Sequence, residues 1–486
     1  MDETLVGRAW ERRELEKIRR SNTPELVAIY GRRRVGKTFL INRFFGKEKI
    51  FFELTGQKDG TLPEQLGNFA DAFGMAFAGG HRIAVPESWG QALRMLAAEI
   101  DRRKVGGKVV VFFDELPWLA GRRSGFLGAL DHFWNTWGSR RRNLIVVICG
   151  SAASWMIERV INDRGGLHNR VTRRIRLEPF TLAEAREYLH ARRVRLSDKQ
   201  ILELYLATGG IPLYLRHVER GRPVAQNIDQ LCFTRDGFLR DEFNNLYSSL
   251  FENSGVHVDV VRALAKTRRG LTREELLDRT RLSTGGGASD VLRALEESSF
   301  ISSTVPFGRR KKDALYRLVD EYSLFYLTWI EKAPRTVFSP QPSGYWSRKA
   351  TTPTATAWAG YAFEGICQKH IRQIKQALGI SGINTNDTAW AHRPPRGTGQ
   401  GAQIDLLIDR ADDCITVCEM KFSNKRFVID KKYARELESK LGVFKEVTRT
   451  RKTVFTVMVT SYGTRENAYY DQLVDGQVTS DQLFNV

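Results

Sequence analysis

The sequence predicts a multidomain α/β protein, and three observations support this prediction. The chain has 486 residues, which at roughly 150 residues per domain leaves room for about three domains. Apolar strand-like runs alternate with helical stretches through residues 1–180, as in a parallel sheet covered by helices. Later blocks follow other patterns, with three helices before a hairpin and then a mixed α/β segment. A parallel-sheet core followed by smaller domains is therefore expected.

The charge balance favours a large anionic partner. The chain carries 76 Lys and Arg against 56 Asp and Glu, a formal charge of +20, which ranks nucleic acid first and an anionic membrane surface second. No apolar run approaches the roughly 18 residues that cross a bilayer. The five cysteines are scattered without metal-ligand spacing, which fits a reducing compartment. We therefore expect a cytoplasmic protein that is neither secreted nor inserted in a membrane.

The first block, residues 1–180, is expected to be the parallel-sheet core. Its central strands are predicted at Glu25–Tyr30, Val109–Asp114 and Leu144–Gly150 because each is a short apolar run. From residue 181 to 235 the pattern becomes helical and breaks at a Gly-Gly-Ile-Pro sequence, which predicts a small helical lid.

Three further segments follow. Residues 236–330 show three helical stretches and then two strands joined by a polar loop, the element order of a winged helix-turn-helix. Residues 331–354 contain several prolines among Ser, Thr and Gly, a composition that predicts an extended linker. A last domain is expected at 355–486.

A phosphate-binding loop is the strongest motif in the chain. It follows an apolar strand and opens a helix, the context that distinguishes such loops from accidental matches. Its glycines permit a tight curl that aims backbone N–H groups at phosphates, while the lysine reaches the β- and γ-phosphates and the threonine binds magnesium. The nucleotide-contacting residues are predicted to be Gly31, Arg32, Arg33, Arg34, Val35, Gly36, Lys37 and Thr38.

Further nucleotide-site residues are predicted at the ends of the next strands. Asp114 ends one apolar strand and is expected to share magnesium with Thr38, and the adjacent Glu115 is suited to activate the attacking water. Ser151 follows another strand and is expected to sense the γ-phosphate. Arg170 is assigned to the stabilisation of phosphoryl-transfer charge, either within its own subunit or across an interface, with a plain basic surface as the alternative.

Several motifs together resemble the prokaryotic AAA+/STAND-type P-loop ATPases. The resemblance implies ATP as the nucleotide and a lid that presents Pro212 to it. The segments that carry it are Leu5–Arg8 with Glu14-Leu15, Tyr30–Thr38, Phe113–Pro117, Cys149–Ser151, Gly209–Leu215 and Asp320–Phe325.

The tip of the predicted wing holds four consecutive cations, Arg309, Arg310, Lys311 and Lys312. On a hairpin, such a tip can lie against nucleic-acid phosphates and add salt-dependent affinity. The helix in the recognition position contains three acids and one arginine, so reading of base edges is not expected. A domain that packs on the ATPase and transmits its state is the alternative.

Acidic residues interrupt two apolar strands near the C-terminus. Asp405 lies in the first strand, and Glu419 and Lys421 lie two residues apart on one face of the second. A hairpin would bring all three together, with Glu364 on a preceding helix as a third acid. Such a set can hold Mg²⁺ on Asp405 and Glu419 while Lys421 positions water or offsets phosphate charge.

This stretch resembles the restriction-endonuclease-like PD-(D/E)xK fold, with Ile404 in place of the name-giving proline. The resemblance implies nuclease roles for Asp405, Glu419, Lys421 and Glu364. A Glu–Lys ion pair on an inactive fold is the alternative.

These observations lead to one functional hypothesis and two alternatives. The hypothesis is an ATP-hydrolysing switch, with ATP and Mg²⁺ as cofactors, that gates a magnesium-dependent nuclease acting on DNA. One alternative is an ATP-dependent DNA-binding regulator whose nuclease-like domain is inert. The other is a signalling ATPase that forms a homo-oligomer on binding ATP. The choice between DNA and RNA stays open at this stage.

Overall fold

The computed structural model describes residues 5–103, 106–121, 123–161, 166–167, 169–392, 394 and 400–485. The chain divides into two compact units, Met1–Pro179 and Phe180–Val486. Each unit has its own sheet.

The first unit is an α/β domain. Its strands are β1 Glu25–Tyr30, β2 Ile50–Thr55, β3 Val109–Asp114, β4 Leu144–Gly150 and β5 Arg173–Arg176. Its helices are α1 Ala9–Arg20, α2 Lys37–Phe45, α3 Leu62–Phe77, α4 Trp89–Arg103, α5 Leu116–Leu119, α6 Phe126–Thr136 and α7 Ala153–Met156.

The strands described in this unit form a parallel sheet in the order β2-β3-β4-β1-β5. The predicted parallel-sheet core is thus confirmed. The residues of β3 and β4 are buried throughout, which explains their continuous apolar runs, since helices cover both faces of such a sheet. Because β4 lies between β1 and β3, the loops after all three strands meet at the carboxyl edge, where open α/β sheets bind ligands.

The second unit begins with helices and a hairpin. Its helices up to this point are α8 Leu182–Ala191, α9 Asp198–Thr208, α10 Pro212–Arg216, α11 Val224–Cys232, α12 Glu242–Leu250, α13 Ser254–Ala265, α14 Arg273–Arg279 and α15 Gly286–Glu297. The antiparallel hairpin consists of β6 Ile301–Thr304 and β7 Leu315–Leu318. Within 236–330 four described helices, α12 to α15, precede the hairpin, one more than the three that the sequence predicts.

The rest of this unit contains a mixed sheet. Its helices are α16 Glu321–Phe325, α17 Tyr345–Lys349, α18 Pro353–Lys369, α19 Ile371–Ala377, α20 Lys431–Thr448, α21 Ala468–Leu473 and α22 Ser480–Leu483. Its strands are β8 Thr385–His392, β9 Ala402–Arg410, β10 Cys414–Lys421, β11 Thr453–Thr460 and β12 Gly476–Thr479. The strand order is β12-β11-β10-β9-β8, in which β8, β9 and β10 are antiparallel neighbours and β10, β11 and β12 are parallel.

The segment 331–354 differs from the extended linker that its composition predicts. It contains α17, and the Trp346 side chain is only 5% exposed among the rings of Phe233, Phe325 and Trp358. The backbone N–H of Trp346 donates to the buried carboxylate of Asp229 at 2.7 Å. A large aromatic side chain and a buried hydrogen bond hold this segment against α11, and composition does not reveal such contacts.

The helices predicted as a lid fold with the second unit. The backbone N–H of Leu182, the first residue of α8, donates to Nε2 of His370 at 3.1 Å, while the other ring nitrogen lies 2.8 Å from the carbonyl of Ile366. His370 follows α18 and is buried. The start of α8 is therefore hydrogen-bonded to the residue that follows α18.

Candidate functional site

The phosphate-binding loop curls around its own lysine. Lys37 is 5% exposed, and its Nζ donates to the carbonyls of Gly31 and Arg32 at 2.9 Å each. Arg34 and Gly36 have positive φ angles of 74° and 91°, which turn successive peptide groups into the loop. The result is a cradle of backbone amides with one central cation, an arrangement suited to nucleotide phosphates.

Gly31 is required at the start of this loop. Its φ is 147°, and a Cβ atom there would lie 2.2 Å from the carbonyl oxygen of Leu177. Arg8 fixes the loop from the other side, because its buried guanidinium donates to the carbonyls of Val35 at 3.0 Å and Glu178 at 2.6 Å. From the sequence, Arg8 was noted only as part of the family resemblance.

Thr38 and Asp114 are brought together as expected for a shared magnesium ion. The Thr38 hydroxyl donates to Oδ2 of Asp114 at 2.6 Å. Asp114 is buried at the end of β3, whereas Thr38 is open to solvent at the start of α2. A hydroxyl and a carboxylate in contact beside the phosphate cradle fit a magnesium ion that also binds phosphate oxygens.

Glu115 and Ser151 form the third part of this site. Glu115 has a left-handed backbone with φ of 48°, and its carboxylate accepts hydrogen bonds from the Ser151 hydroxyl and from the Ser151 N–H, the latter at 3.2 Å. The Ser151 hydroxyl also lies 3.2 Å from Nζ of Lys37. The ends of β3 and β4 are thus linked to the phosphate loop through one continuous chain of polar groups.

Arg170 and Pro212 are the other two residues predicted for the nucleotide site. Arg170 is exposed in a turn before β5, and its side chain makes no ion pair with the parts of the loop that the structure describes. Pro212 is the first residue of α10 in the second unit, where a residue without an N–H is well tolerated. His168, near Arg170 in the sequence, lies outside the described residues.

The C-terminal carboxylates lie on neighbouring strands. Cys418 of β10 pairs with Leu406 of β9, so Glu419 and Asp405 are the next residues along the two strands. Lys421 lies on the same face, with its Nζ 2.9 Å from Oε1 of Glu419. The convergence of Asp405, Glu419 and Lys421 predicted from the sequence is therefore observed.

Two residues of α20 complete the surroundings of Glu419. Lys440 lies 2.6 Å from Oε2 of Glu419, and the Tyr433 hydroxyl donates to Oε1 at 2.9 Å. Burial raises the pKa of Glu419, but Lys440 and Lys421 outweigh burial and hold the pKa below its usual value. Lys440 was missed in the sequence because an amphipathic helix usually contains such a lysine.

Glu364 on α18 belongs to the same charged group. Burial, and then the negative charge of Asp405, raise its pKa to about 8. Arg317 of β7 opposes this effect and lies 3.7 Å from Oδ1 of Asp405. Glu364 and Asp405 are both partly buried, and two neighbouring carboxylates in such surroundings favour a proton on one of them, as at many catalytic sites.

Each candidate magnesium site offers few carboxylate ligands. Within the described parts of the chain, no three His, Cys, Asp or Glu side chains are arranged as ligands for one metal ion. Magnesium often uses one or two carboxylates together with substrate phosphates and water, and Asp405 with Glu419 is a pair of that kind. At this site the ion would therefore depend on the substrate for part of its coordination.

The four consecutive cations of the β6–β7 loop are exposed. Arg309, Arg310, Lys311 and Lys312 all face solvent. The segment before them is anchored, because the backbone N–H of Phe307 donates to the carbonyl of Ala389 on β8 at 2.8 Å. The hairpin is thus attached to the edge of the C-terminal mixed sheet.

The fold and the phosphate site of the first unit resemble those of P-loop ATPase domains. Residues 5–218 match the model of a family described as an ATPase domain found predominantly in Archaea. ATP binding and ATPase activity are supported by this match. Among the described residues, no helix is long and apolar enough to span a membrane.

The chain is also similar to individual proteins. The chain is 22% identical over 442 residues to an uncharacterized protein of Methanocaldococcus jannaschii, covering 90% of this chain and 91% of the relative. It is similar in fold to a Walker-type ATPase of Pyrococcus abyssi, with a TM-score of 0.50, 18% identity, and coverage of 67% of this chain and 97% of that one. The ORC2 protein of Aeropyrum pernix is less similar, with a TM-score of 0.42, 13% identity, and coverage of 67% of this chain and 95% of that one.

Proposed function

We propose that the protein is an ATP-driven switch of the AAA+/STAND kind that gates a magnesium-dependent DNA nuclease. In the first unit, Lys37 and the loop amides would bind the phosphates, and Thr38 with Asp114 would hold Mg²⁺, which supplies charge neutralisation during phosphoryl transfer. Glu115 would take the proton of the attacking water, and Ser151 would align Glu115 through its two hydrogen bonds.

The ATPase part of the proposal is tested at Lys37. Lys37→Ala removes the only side-chain cation held by both loop carbonyls in the described residues, so ATP binding and turnover should be lost. Lys47→Ala, an exposed lysine just after α2, serves as the control and should behave as the parent protein. Full turnover by Lys37→Ala would refute the assignment.

The nuclease part depends on one observation, the convergence of Asp405, Glu419 and Lys421 on adjacent strands of the C-terminal mixed sheet. Asp405 and Glu419 would hold Mg²⁺ together with the scissile phosphate, and the ion would activate water and polarise the phosphate. Lys421 is placed to offset charge that develops on the phosphate. Glu364, with its raised pKa, would retain a proton at neutral pH that it can donate within the site.

Cleavage of labelled DNA provides the test. Linear, circular, branched and single-stranded substrates would be incubated with Mg²⁺, with and without ATP. Lys421→Ala and Glu419→Ala should abolish cleavage, whereas Lys425→Ala, an exposed lysine in the loop after β10, should not. Absence of cleavage by the parent protein, or its survival in both site variants, would exclude the nuclease.

One observation favours the second candidate, an ATP-dependent DNA-binding regulator with an inert fold. Both oxygens of Glu419 already receive donors, from Tyr433 and Lys421 on one side and Lys440 on the other. Such a saturated carboxylate also suits a purely structural ion-pair network. The regulator hypothesis predicts that the protein binds DNA without cleaving it. Lys421→Ala would then lower the free energy of unfolding and would not change an enzymatic activity of this domain.

The remaining alternative, an oligomerising signalling ATPase, is tested by measuring whether the protein assembles when it binds ATP. Glu115→Gln should retain ATP while slowing hydrolysis. An ATP-dependent increase in mass by light scattering with this variant would support an oligomer, and Arg170→Ala would then show whether that arginine acts across the subunit interface. An unchanged mass would exclude ATP-driven assembly.

A further inference from the structure

A groove lies between the β6–β7 hairpin and the first two strands of the C-terminal mixed sheet. Its volume is about 220 Å³, smaller than the roughly 300 Å³ or more of pockets for drug-sized molecules. The polar and aromatic side chains that line it include Arg269, Arg309, Arg317, Trp390 and Gln403. We call it the arginine groove.

The walls of the arginine groove are fixed by contacts between the hairpin and β8. The Thr388 hydroxyl donates to the carbonyl of Val305 at 2.5 Å, and the Phe307 N–H donates to the carbonyl of Ala389 at 2.8 Å. The Phe307 ring lies 6.0 Å from that of Phe444 on α20. Hydrogen bonds and an aromatic contact therefore keep the hairpin at the sheet edge.

The floor of the groove reaches the candidate nuclease residues. Gln403 donates from Nε2 to Oδ1 of Asp405 at 2.6 Å, and the Arg317 guanidinium lies 3.7 Å from the same oxygen. Arg317 is only 6% exposed, and the absence of a side chain at Gly270 makes room for it, since a Cβ there would lie 2.8 Å from Cγ of Arg317. The groove and the carboxylate site thus share side chains.

The side chains that line the groove carry three positive charges, on its arginines, and one negative charge, on Asp313. Arg269 is paired with Glu275, and Arg317 faces Asp405. One oxygen of Asp313, the acid in the lining, accepts the backbone N–H of Arg310. The exposed Arg309 side chain makes no hydrogen bond or ion pair within the described part of the chain. A cation without a partner, beside two that are partly neutralised, attracts an anion.

We propose that the arginine groove binds a backbone phosphate of the DNA strand close to the phosphate that is cleaved. This inference rests on the proposed nuclease function and names the surface by which the substrate reaches it. The volume suits one phosphate with its sugar, and the open end beside Arg309 lets the strand continue over the hairpin. Arg309 contacts the phosphate directly, while Arg317 positions Asp405 at the groove floor.

The test is the salt dependence of DNA binding. A fluorescein-labelled duplex and the matching single strand are titrated with the whole 486-residue chain in EDTA, so that cleavage does not interfere. The Kd for each DNA is measured by anisotropy at several KCl concentrations. Removal of one phosphate contact by Arg309→Ala should weaken binding and reduce the log–log salt slope by about 0.9 for duplex or about 0.7 for single-stranded DNA. Arg309→Lys should restore most of the slope.

The matched control is Arg335→Ala, which removes an exposed arginine of the second unit that does not line the groove. Its slope should equal that of the parent protein. An unchanged slope with Arg309→Ala, or an equal decrease with Arg335→Ala, would contradict phosphate binding in the groove. A nuclease that fails to cleave, with the Arg309 effect intact, would instead refute the proposed activity and leave the groove as a DNA-binding site.

Discussion

Acidification is expected to destabilise the second unit through His370. In the folded chain Nε2 of this ring accepts the Leu182 N–H at 3.1 Å, so the ring must be neutral with its proton on Nδ1, facing the carbonyl of Ile366. Protonation of Nε2 would place a second donor against the Leu182 N–H, at the positive end of α8. Burial, and then the charge of Lys369, lower the pKa of His370 to about 4.

The size of the effect follows from this pKa. In the unfolded chain the ring has its usual pKa of 6.5, so the unfolded state binds the proton first as the pH falls. The stabilisation is present above pH 6.5 and is lost as the pH falls towards 4. Because each pKa unit is worth about 1.4 kcal/mol, about 3 kcal/mol of the free energy of unfolding should disappear over that range.

The comparison variant is His370→Gln, which keeps an acceptor for the Leu182 N–H but does not titrate. Urea unfolding at several pH values between about 7 and about 4, combined with hydrogen exchange of peptides that cover α8 and α18, measures the difference. His190→Gln, at an exposed position on α8, should keep the parental pH dependence. A parental dependence in His370→Gln as well would refute the assignment of this titration to His370.

Three other substitutions test the fold and the nucleotide site. Gly31→Ala should destabilise the first unit and abolish ATP binding, because its Cβ would lie 2.2 Å from the Leu177 carbonyl oxygen. The control is Gly128→Ala on α6, where no atom lies within 4 Å of the added Cβ. This control should leave the thermal stability unchanged or raise it. Trp346→Ala should cost about 3–5 kcal/mol in denaturant unfolding, and a loss below about 1 kcal/mol would contradict its role in anchoring 331–354. Glu115→Gln should retain ATP binding in a filter assay while hydrolysis falls at least about 100-fold; unchanged hydrolysis would show that another group accepts the proton.

The parallel-sheet core was predictable from local patterns. The bounds of Val109–Asp114 and Leu144–Gly150 agree with the structure because buried parallel strands are continuous apolar runs. The phosphate loop was also predictable from a local pattern, since its glycines, lysine and threonine lie within one short segment. The pairing of Asp405 with Glu419 also followed from a short hairpin with alternating side chains.

The side-chain contacts around these motifs could be identified only from the tertiary structure. Lys440 reaches Glu419 from a helix, and Arg317 reaches Asp405 from a hairpin that the sequence places in another domain. Trp346 lies in a segment whose composition predicts an open linker, yet it is buried among aromatic rings contributed by residues distant in sequence. The sequence by itself thus determined the sheet core, the phosphate loop and the positions of the acidic strands, because these depend on neighbouring residues. Only the tertiary structure decided which cations surround the carboxylates and that the hairpin forms a groove beside them, since those contacts join segments whose local patterns carry no information about one another.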